Sequence, residues 1–219
     1  TNGTSWTSRT SGTNVHQLEG VSYGNNTYVV VSTHGTILTS SDNGINWTFK
    51  TSGSYVHLKG VTYGNNTFVV VGNSGEIITS TNNGTTWTSR TSGTNNKLYG
   101  VTYGNNTYVV VGGSGEILTS TNNGTTWTSR TSGTNNHLYG VTYGNGTFVA
   151  TGYNGTILTS TNNGTTWTSR TSGTTNHLRG VTYGNGTFVA TGSNGTILTS
   201  TNGASWTSRT SGTTNHFYG

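Results

Sequence analysis

Six tryptophans at nearly constant spacing constrain this chain more than any other feature of its sequence. They recur at intervals of about 40 residues, and each one follows a glycine-rich turn. A fixed period of this length is typical of repeat architectures, in which each unit buries its apolar face against its neighbours. The period therefore predicts one array of similar units across all 219 residues.

Each repeat contains four strand patterns separated by turns, as residues 137–176 illustrate. The first pattern ends at Tyr143, and Asn145-Gly146 follows, a pair favoured in two-residue type I′ turns because both residues accept positive φ. The second pattern, residues 147–151, is apolar on both faces, as expected of a strand between two neighbouring sheets. Four short antiparallel strands in about 40 residues are typical of a β-propeller blade.

The number of complete patterns predicts five blades. The first three strand patterns occur in full five times, so we expect an all-β, five-bladed β-propeller of four-stranded antiparallel blades that is closed by a terminal strand. The predicted blades lie near residues 15–54, 55–94, 95–134, 135–174 and 175–212, within one domain that spans residues 1–219.

The two ends of the chain compete for one position in this ring. Residues 201–219 nearly repeat residues 1–20, and both segments carry the fourth strand pattern. We predict that residues 1–14 supply the outer strand of the last blade, and that the C-terminal copy is displaced, disordered or donated to another molecule. The reverse assignment is nearly as favourable.

Composition narrows the classes of function. The net charge is +5, but the arginines recur once per repeat and so spread around the ring, whereas nucleic-acid binding requires clustered charge. There is no cysteine for a disulfide or a thiolate metal site, and no apolar run long enough to span a membrane. We therefore expect no nucleic acid, membrane, metal or cofactor, and the polar, charge-poor surface favours an extracellular or cell-surface location.

The turn before each tryptophan carries a recognisable motif. Its fullest copy, Ser40-x-Asp42-x-Gly44-x-x-Trp47, resembles the Asp-box, or bacterial neuraminidase repeat, which lies between the third and fourth strands of propeller blades. Other copies carry Asn for Asp, and the first and last copies are one residue shorter. Because a carboxylate or amide oxygen can accept from turn N–H groups and tryptophan buries apolar area, we interpret the box as structural. Its residues are Asp42, Trp6, Trp47, Trp87, Trp127, Trp167 and Trp206.

The resemblance implies a propeller without implying catalysis, because Asp-boxes occur in sialidases, other glycosidases, receptors and assembly factors. A sialidase-like site needs an arginine cluster, a tyrosine nucleophile with a partner glutamate, and an acid. Glycoside hydrolysis in general needs two carboxylates roughly 5–10 Å apart. The chain has only four acidic residues, Glu19, Asp42, Glu76 and Glu116, so we predict that it is not an enzyme.

Variation between repeats identifies a candidate binding face. It concentrates in the linker between blades, at the start of the first strand and in the turn between the second and third strands. These segments share one face of the disc, and binding residues often sit on loops held by a rigid scaffold. The candidate ligand-binding residues are His16, Glu19, His34, His57, Lys59, Lys97, Tyr99, His137, Tyr139, Tyr153, His177 and Arg179.

The histidine near the start of the first strand in four of the five repeats, replaced by Lys97 in the other, has two interpretations. A ring of imidazoles could bind a metal or an anion at the channel mouth. The favoured interpretation is a hydrogen bond from each imidazole to the adjacent loop.

Two functions follow from these patterns. The first is a multivalent, lectin-like module that binds glycans in equivalent clefts between blades, lined by aromatic, amide and hydroxyl groups. The alternative is a structural or self-assembling repeat protein that forms homo-oligomers by exchanging its redundant terminal strand.

Overall fold

The computed structural model describes residues 4–12 and 17–218, and those residues form five four-stranded antiparallel sheets. Each sheet contains four strands that are consecutive in the sequence and lie side by side in chain order. This arrangement confirms the predicted all-β, five-bladed propeller. Among the described residues no helix is both long enough and apolar enough to cross a membrane.

The strands of the five blades have the following bounds. Blade 1 comprises β1 (Leu18–Gly24), β2 (Thr27–Ser32), β3 (Thr36–Ser40) and β4 (Thr48–Thr51). Blade 2 comprises β5 (Leu58–Gly64), β6 (Thr67–Gly72), β7 (Ile77–Ser80) and β8 (Thr88–Arg90). Blade 3 comprises β9 (Leu98–Gly104), β10 (Thr107–Gly112), β11 (Ile117–Ser120) and β12 (Thr128–Ser129). Blade 4 comprises β13 (Leu138–Gly144), β14 (Thr147–Gly152), β15 (Ile157–Ser160) and β16 (Thr168–Arg170). Blade 5 comprises β17 (Leu178–Gly184), β18 (Thr187–Gly192), β19 (Ile197–Ser200) and β20 (Thr207–Arg209).

Residues with positive φ form the turns between the strands of each blade. The turn between the first and second strands places both Asn145 (φ 45°) and Gly146 (φ 73°) in the left-handed region, as the type I′ prediction requires. The second and third strands are joined by a single 3₁₀ turn, which in blade 4 is Tyr153–Gly155 with Asn154 at φ 54°. We call this the second turn, and we call the turn between the third and fourth strands the box loop.

The hydrophobic core lies between the blades. At the first joint Val29 and Ile37 of blade 1 pack against Leu58 and Phe68 of blade 2, and all four side chains are fully buried. The same set of contacts recurs at the following three joints. Every residue of β6 is buried, which confirms that the second strand is apolar on both faces.

A glycine and a tyrosine interlock at each joint. A Cβ atom added to Gly24, the last residue of β1, would lie 2.0 Å from the ring of Tyr63 in the next blade. The equivalent distance is 2.1 Å at Gly64, Gly104 and Gly144. Only glycine leaves room for the ring, and we call this contact the glycine–tyrosine joint.

The C-terminal copy completes the last blade. β20 pairs with β19, and the Nε of Arg209 donates to Thr199 Oγ1 at 2.8 Å. The prediction that residues 1–14 supply this strand is therefore wrong: the described residues 4–12 form no strand, and Trp6 is 90% exposed. The short box loop already holds β20 beside β19, whereas recruiting the N-terminal copy would close a loop of nearly the whole chain at a greater entropy cost.

Candidate functional site

The first strands bring one variable side chain from each blade to the same end of the central channel. Glu19, Lys59, Tyr99, Tyr139 and Arg179 line a depression of 580 Å³, which we call the channel mouth. Gln17, Leu18 and Tyr218 complete its wall. Five of the predicted ligand-binding residues thus lie together, and the five blades contribute four different residue types at equivalent positions.

An ion pair joins the first two blades at the mouth. Lys59 Nζ lies 2.6 Å from Glu19 Oε1, and the two side chains are 24% and 17% exposed. Each group neutralises the other, so neither offers a free charge to a ligand. Glu19 is also the only acidic residue in the wall of the mouth.

Arg179 occupies the opposite side of the mouth between two tyrosines. Its guanidinium carbon lies 5.5 Å from the ring centre of Tyr139 and 5.0 Å from that of Tyr218, within the range of cation–π attraction. Its Nε is buried and donates no hydrogen bond to the described residues. Burial raises the pKa of the Tyr139 hydroxyl, and the Arg179 charge opposes that shift. Arg179 therefore presents a cation without an anionic partner in the described residues.

An apolar channel lies beside these residues along the first strands. Glycine and valine pairs from all five strands line a cavity of 390 Å³, which Phe217 also borders. Because each glycine has no side chain, the valines dominate the wall, and this part of the channel suits apolar groups. The valines are Val21, Val61, Val101, Val141 and Val181.

Two of the predicted histidines accept a hydrogen bond from the preceding blade. The Nδ1 of His137 accepts from the Ser114 N–H at 2.9 Å, and that of His177 accepts from the Asn154 N–H at 3.2 Å. Each bond links a histidine to the second turn of the preceding blade, as the favoured interpretation expects. Tyr153 stacks on His177 with ring centres 4.1 Å apart. No group of three metal-binding side chains occurs within residues 4–12 and 17–218.

Of the remaining candidates, His34 and His57 meet between two blades, and Lys97 makes a contact within its own blade. His34, in the second turn of blade 1, has its ring centre 5.0 Å from that of His57. Lys97 takes the histidine position in blade 3, where its carbonyl accepts from the Gly113 N–H at 2.7 Å. None of these three residues lines the mouth.

The position of the first histidine needs a correction. His16 itself lies outside the described residues. Leu18 pairs with Ser32 as Leu58 pairs with Gly72, so Gln17 takes the place that His57 has in blade 2. The first spacing between tryptophans is one residue longer than the next, and counting back from Gly20 would have located this shift.

Two large clefts lie along the outer strands of blades 4 and 5. Their volumes are 820 and 840 Å³, and threonine, asparagine, serine and glycine line them with one leucine and one arginine each. Neither cleft contains an aromatic side chain. The aromatic walls expected of repeated sugar-binding clefts are therefore missing from these two.

The box loops make structural hydrogen bonds. Asp42 accepts from the Ser40 hydroxyl at 2.8 Å, from the Asn46 N–H at 2.9 Å and from the Asn46 side chain at 2.7 Å. These bonds lower the pKa of Asp42 from its usual 3.8 to about 2. Trp47 Nε1 donates to the Gly44 carbonyl at 3.1 Å, and Trp127, Trp167 and Trp206 make the same bond.

Fold and site define a five-bladed propeller with one asymmetric mouth. The chain belongs to the DUF6242 beta propeller domain family, which matches residues 50–178. That match supports the propeller, while the Asp-box remains a resemblance of the loop motif. No curated protein matches the chain in sequence.

Two solved propellers share the fold. A structure described as YCF48 bound to D1 peptide is 16% identical with a TM-score of 0.70, and the match covers 89% of this chain and 66% of that one. YCF48 from Cyanidioschyzon merolae is also 16% identical with a TM-score of 0.70, over 94% of this chain and 76% of that one. The chain thus spans just under two thirds of the first structure, and at this identity the likeness concerns the fold alone.

Proposed function

We propose that this chain is a non-enzymatic binding module that holds one polypeptide segment at the channel mouth. The segment presents a carboxylate, from an acidic side chain or a chain terminus, to Arg179. The observation that carries the proposal is the guanidinium of Arg179, held between Tyr139 and Tyr218 with a buried Nε that donates no hydrogen bond in the described residues. Guanidinium groups bind carboxylates through strong, directional hydrogen bonds.

The asymmetry of the mouth favours one ligand over several equivalent ones. An ion pair occupies one side, two tyrosines with rings 5.4 Å apart occupy the middle, and Arg179 occupies the other side. A peptide offers backbone amides, an acid and apolar side chains within a few residues, and each finds a matching surface here. The apolar channel beside the mouth accommodates an apolar side chain of the same segment.

The comparison adds support by analogy only. The YCF48 propeller was solved with a D1 peptide, so a propeller of this fold can hold a peptide. The residues of the mouth give little support for catalysis, because Lys59 neutralises Glu19 and no second carboxylate lines the mouth beside it. An extracellular or cell-surface location remains a prediction from composition.

A peptide-binding experiment tests the proposal. Fluorescence anisotropy would compare peptides that end in a free carboxylate, peptides with an internal Asp or Glu, and neutral amidated peptides. We expect the carboxylate peptides to bind, and Arg179→Gln to weaken them about tenfold or more, since a charge-assisted hydrogen bond contributes about 1.5–3 kcal/mol.

Arg170→Gln is the matched control. Arg170 lies in an outer cleft, where its Nε donates to Thr159 Oγ1 at 2.8 Å, and its loss should leave peptide binding unchanged. A glycan array run in parallel tests the predicted lectin function. Glycan binding that ignores Arg179, together with no peptide binding, would overturn the proposal in favour of carbohydrate recognition.

A further inference from the structure

We propose that the two clefts along the outer strands of blades 4 and 5, the outer clefts, are equivalent binding sites for a carboxylate and are separate from the channel mouth. Each cleft is lined by the linker that precedes its blade and by the outer strand of that blade. Blade 3 shows how a carboxylate fits this space, because it supplies one from its own chain. Blades 4 and 5 keep the surrounding donors and lack that carboxylate.

Glu116 bridges the two walls of this space in blade 3. Its Oε2 accepts from the Thr94 hydroxyl at 2.8 Å and from the Asn96 side chain at 2.9 Å, both in the linker that precedes the blade. Its Oε1 accepts from the Ser129 hydroxyl of β12 at 3.3 Å. The linker and the outer strand therefore offer three donors that one carboxylate satisfies with both of its oxygens.

Blade 4 has the same three donors without the acid. They are Thr134, Asn136 and Ser169, which line the cleft at the positions equivalent to the three donors of blade 3. Thr156 replaces Glu116, and its short side chain is bound within the blade: its hydroxyl accepts from Asn136 at 2.9 Å and donates to a carbonyl of the second turn at 2.7 Å. The Thr134 and Ser169 hydroxyls donate no hydrogen bond within residues 4–12 and 17–218.

The cleft of blade 5 repeats this arrangement. Thr174, Asn176 and Ser208 line it, and Thr196 replaces the acid. Asn176 donates to the Thr196 hydroxyl at 2.8 Å, as its counterpart does in blade 4. Thr36 holds the same position in blade 1, where part of the preceding linker lies outside the described residues. Two described clefts therefore combine the carboxylate donors of blade 3 with a threonine in place of the glutamate.

Blade 2 shows that these donors, rather than the fold alone, bind the carboxylate. Glu76 has the same position as Glu116, but the linker before blade 2 carries Ser54 and Val56 in place of the threonine and the asparagine. The Glu76 carboxylate accepts no hydrogen bond among the described residues, and burial raises its pKa. A carboxylate in this space is thus hydrogen-bonded in blade 3, where the linker supplies a hydroxyl and an amide, and not in blade 2.

The nearby arginine does not form part of the site. Ser169 and Arg170 are neighbours in β16, so their side chains point to opposite faces of the blade. Arg170 Nε donates to Thr159 Oγ1 at 2.8 Å on the face away from the Ser169 hydroxyl. The site therefore consists of neutral donors, and Arg170→Gln should leave carboxylate binding in the cleft unchanged.

NMR titration of the isotope-labelled chain tests the two sites. Arg179→Gln serves as the parent protein, so that the channel mouth does not contribute. The probes are N-acetylglutamate α-amide and glucuronate, with N-acetylglutamine α-amide and glucose as their neutral counterparts. We expect the acids to shift the amide signals of Ser169 and Ser208 and the neutral compounds to leave them unchanged. The stronger acid shows whether the carboxylate comes from an acidic side chain or an acidic sugar. Shifts from neither acid, or equal shifts from its neutral counterpart, would overturn the proposal.

Exchange of glutamate and threonine between blades provides the matched variants. Thr156→Glu should place an internal carboxylate in the blade 4 cleft, so the acids should no longer shift Ser169 while Ser208 still responds. Glu116→Thr should do the reverse and create a new site, whose response appears at Ser129. Both substitutions copy residues that other blades carry at this position, so we expect unfolding temperatures close to that of the parent. A response of Ser169 that persists in Thr156→Glu would contradict the proposal.

Asn136→Val tests the amide donor, because it copies Val56 of blade 2. We expect binding of the acids in the blade 4 cleft to weaken about tenfold or more, since a hydrogen bond to a charged group is lost. Ser208 in the cleft of blade 5 is the internal standard and should respond as before. Unchanged affinity at Ser169 would mean that the ligand is not bound as Glu116 is, and the proposed site would be wrong.

Discussion

At the scale of the residue, one position of the box loop shows how much of its chemistry depends on charge. Asp42 and Asn82 accept the same backbone hydrogen bond, from Asn46 N–H at 2.9 Å and from Thr86 N–H at 3.0 Å. The neutral amide therefore preserves the turn, as the sequence predicted. What the carboxylate adds is a dependence on pH.

Asp42→Asn tests this dependence. The folded pKa of Asp42, about 2, is lower than its usual 3.8. Its ionised form therefore contributes stability that is fully present above about pH 4 and is lost as the pH falls through about 2. As the pH is lowered from 5 to 2, we expect the unfolding temperature of the parent chain to fall by more than that of the Asp42→Asn variant. A difference between the two proteins that stays constant over this range would contradict the assignment.

Residue types predicted the turns better than they predicted the site. Asn145-Gly146 carries its own turn preference, so the hairpin follows from local chemistry. The roles of His137 and His177 depend on N–H groups of the preceding blade, which no local pattern reveals. The sequence identified the variable face, but only the packing of blades separates the mouth residues from the histidines at the joints.

At the scale of the element, the last box loop differs from those of blades 2 to 4. It is one residue shorter and lacks the asparagine that accepts from the preceding blade. Within residues 4–12 and 17–218, Asn145 of blade 4 consequently makes no bond of the kind that Asn105 makes to Asn163 at 2.7 Å. The joint between blades 4 and 5 thus lacks one contact that the three preceding joints have.

Replacing residues 201–206 with the sequence of residues 81–87 should restore that contact. We expect the free energy of unfolding to rise by about 0.5 kcal/mol, the low end for a hydrogen bond, because the site is exposed. Urea denaturation measures the change. Asn145→Ala in the same background is the control, and a gain that survives it would show that the stabilisation has another origin.

The strands formed by the two ends of the chain were the hardest to predict. Residues 1–14 and the C-terminal copy satisfy the same strand pattern, so sequence alone ranks them almost equally. The short connection between Ser200 and Thr207 decides the outcome in favour of the local hairpin. The extra residue before Leu18 put Gln17, rather than His16, at the histidine position for a similar reason, because a repeat pattern tolerates a shift of one residue where strands begin.

At the scale of the whole molecule, the blades form a series in which each one stabilises the next. Blades 2, 3 and 4 pack on both faces, whereas blades 1 and 5 each keep one face partly exposed. In repeat proteins stability is approximately a sum over units and their interfaces. The two end blades therefore hold fewer of the stabilising contacts.

Hydrogen exchange should show this gradient. In dilute solution we expect the amides of β10 to exchange most slowly and those of β1 and β18 to exchange faster, because partly exposed strands open at lower free energy. Mass spectrometry of protected peptides measures the order. Equal protection of all five blades would mean that the two end faces are already covered.

The glycine–tyrosine joint has a consequence for how such a chain can lengthen. Each blade carries the glycine for its successor and the tyrosine for its predecessor, so a duplicated segment of about 40 residues arrives with both halves of a working joint. No compensating substitution is needed for the new unit to pack. A chain of this kind can therefore lengthen or shorten by whole blades, and the geometry of the ring, rather than the chemistry of any joint, sets how many blades fit.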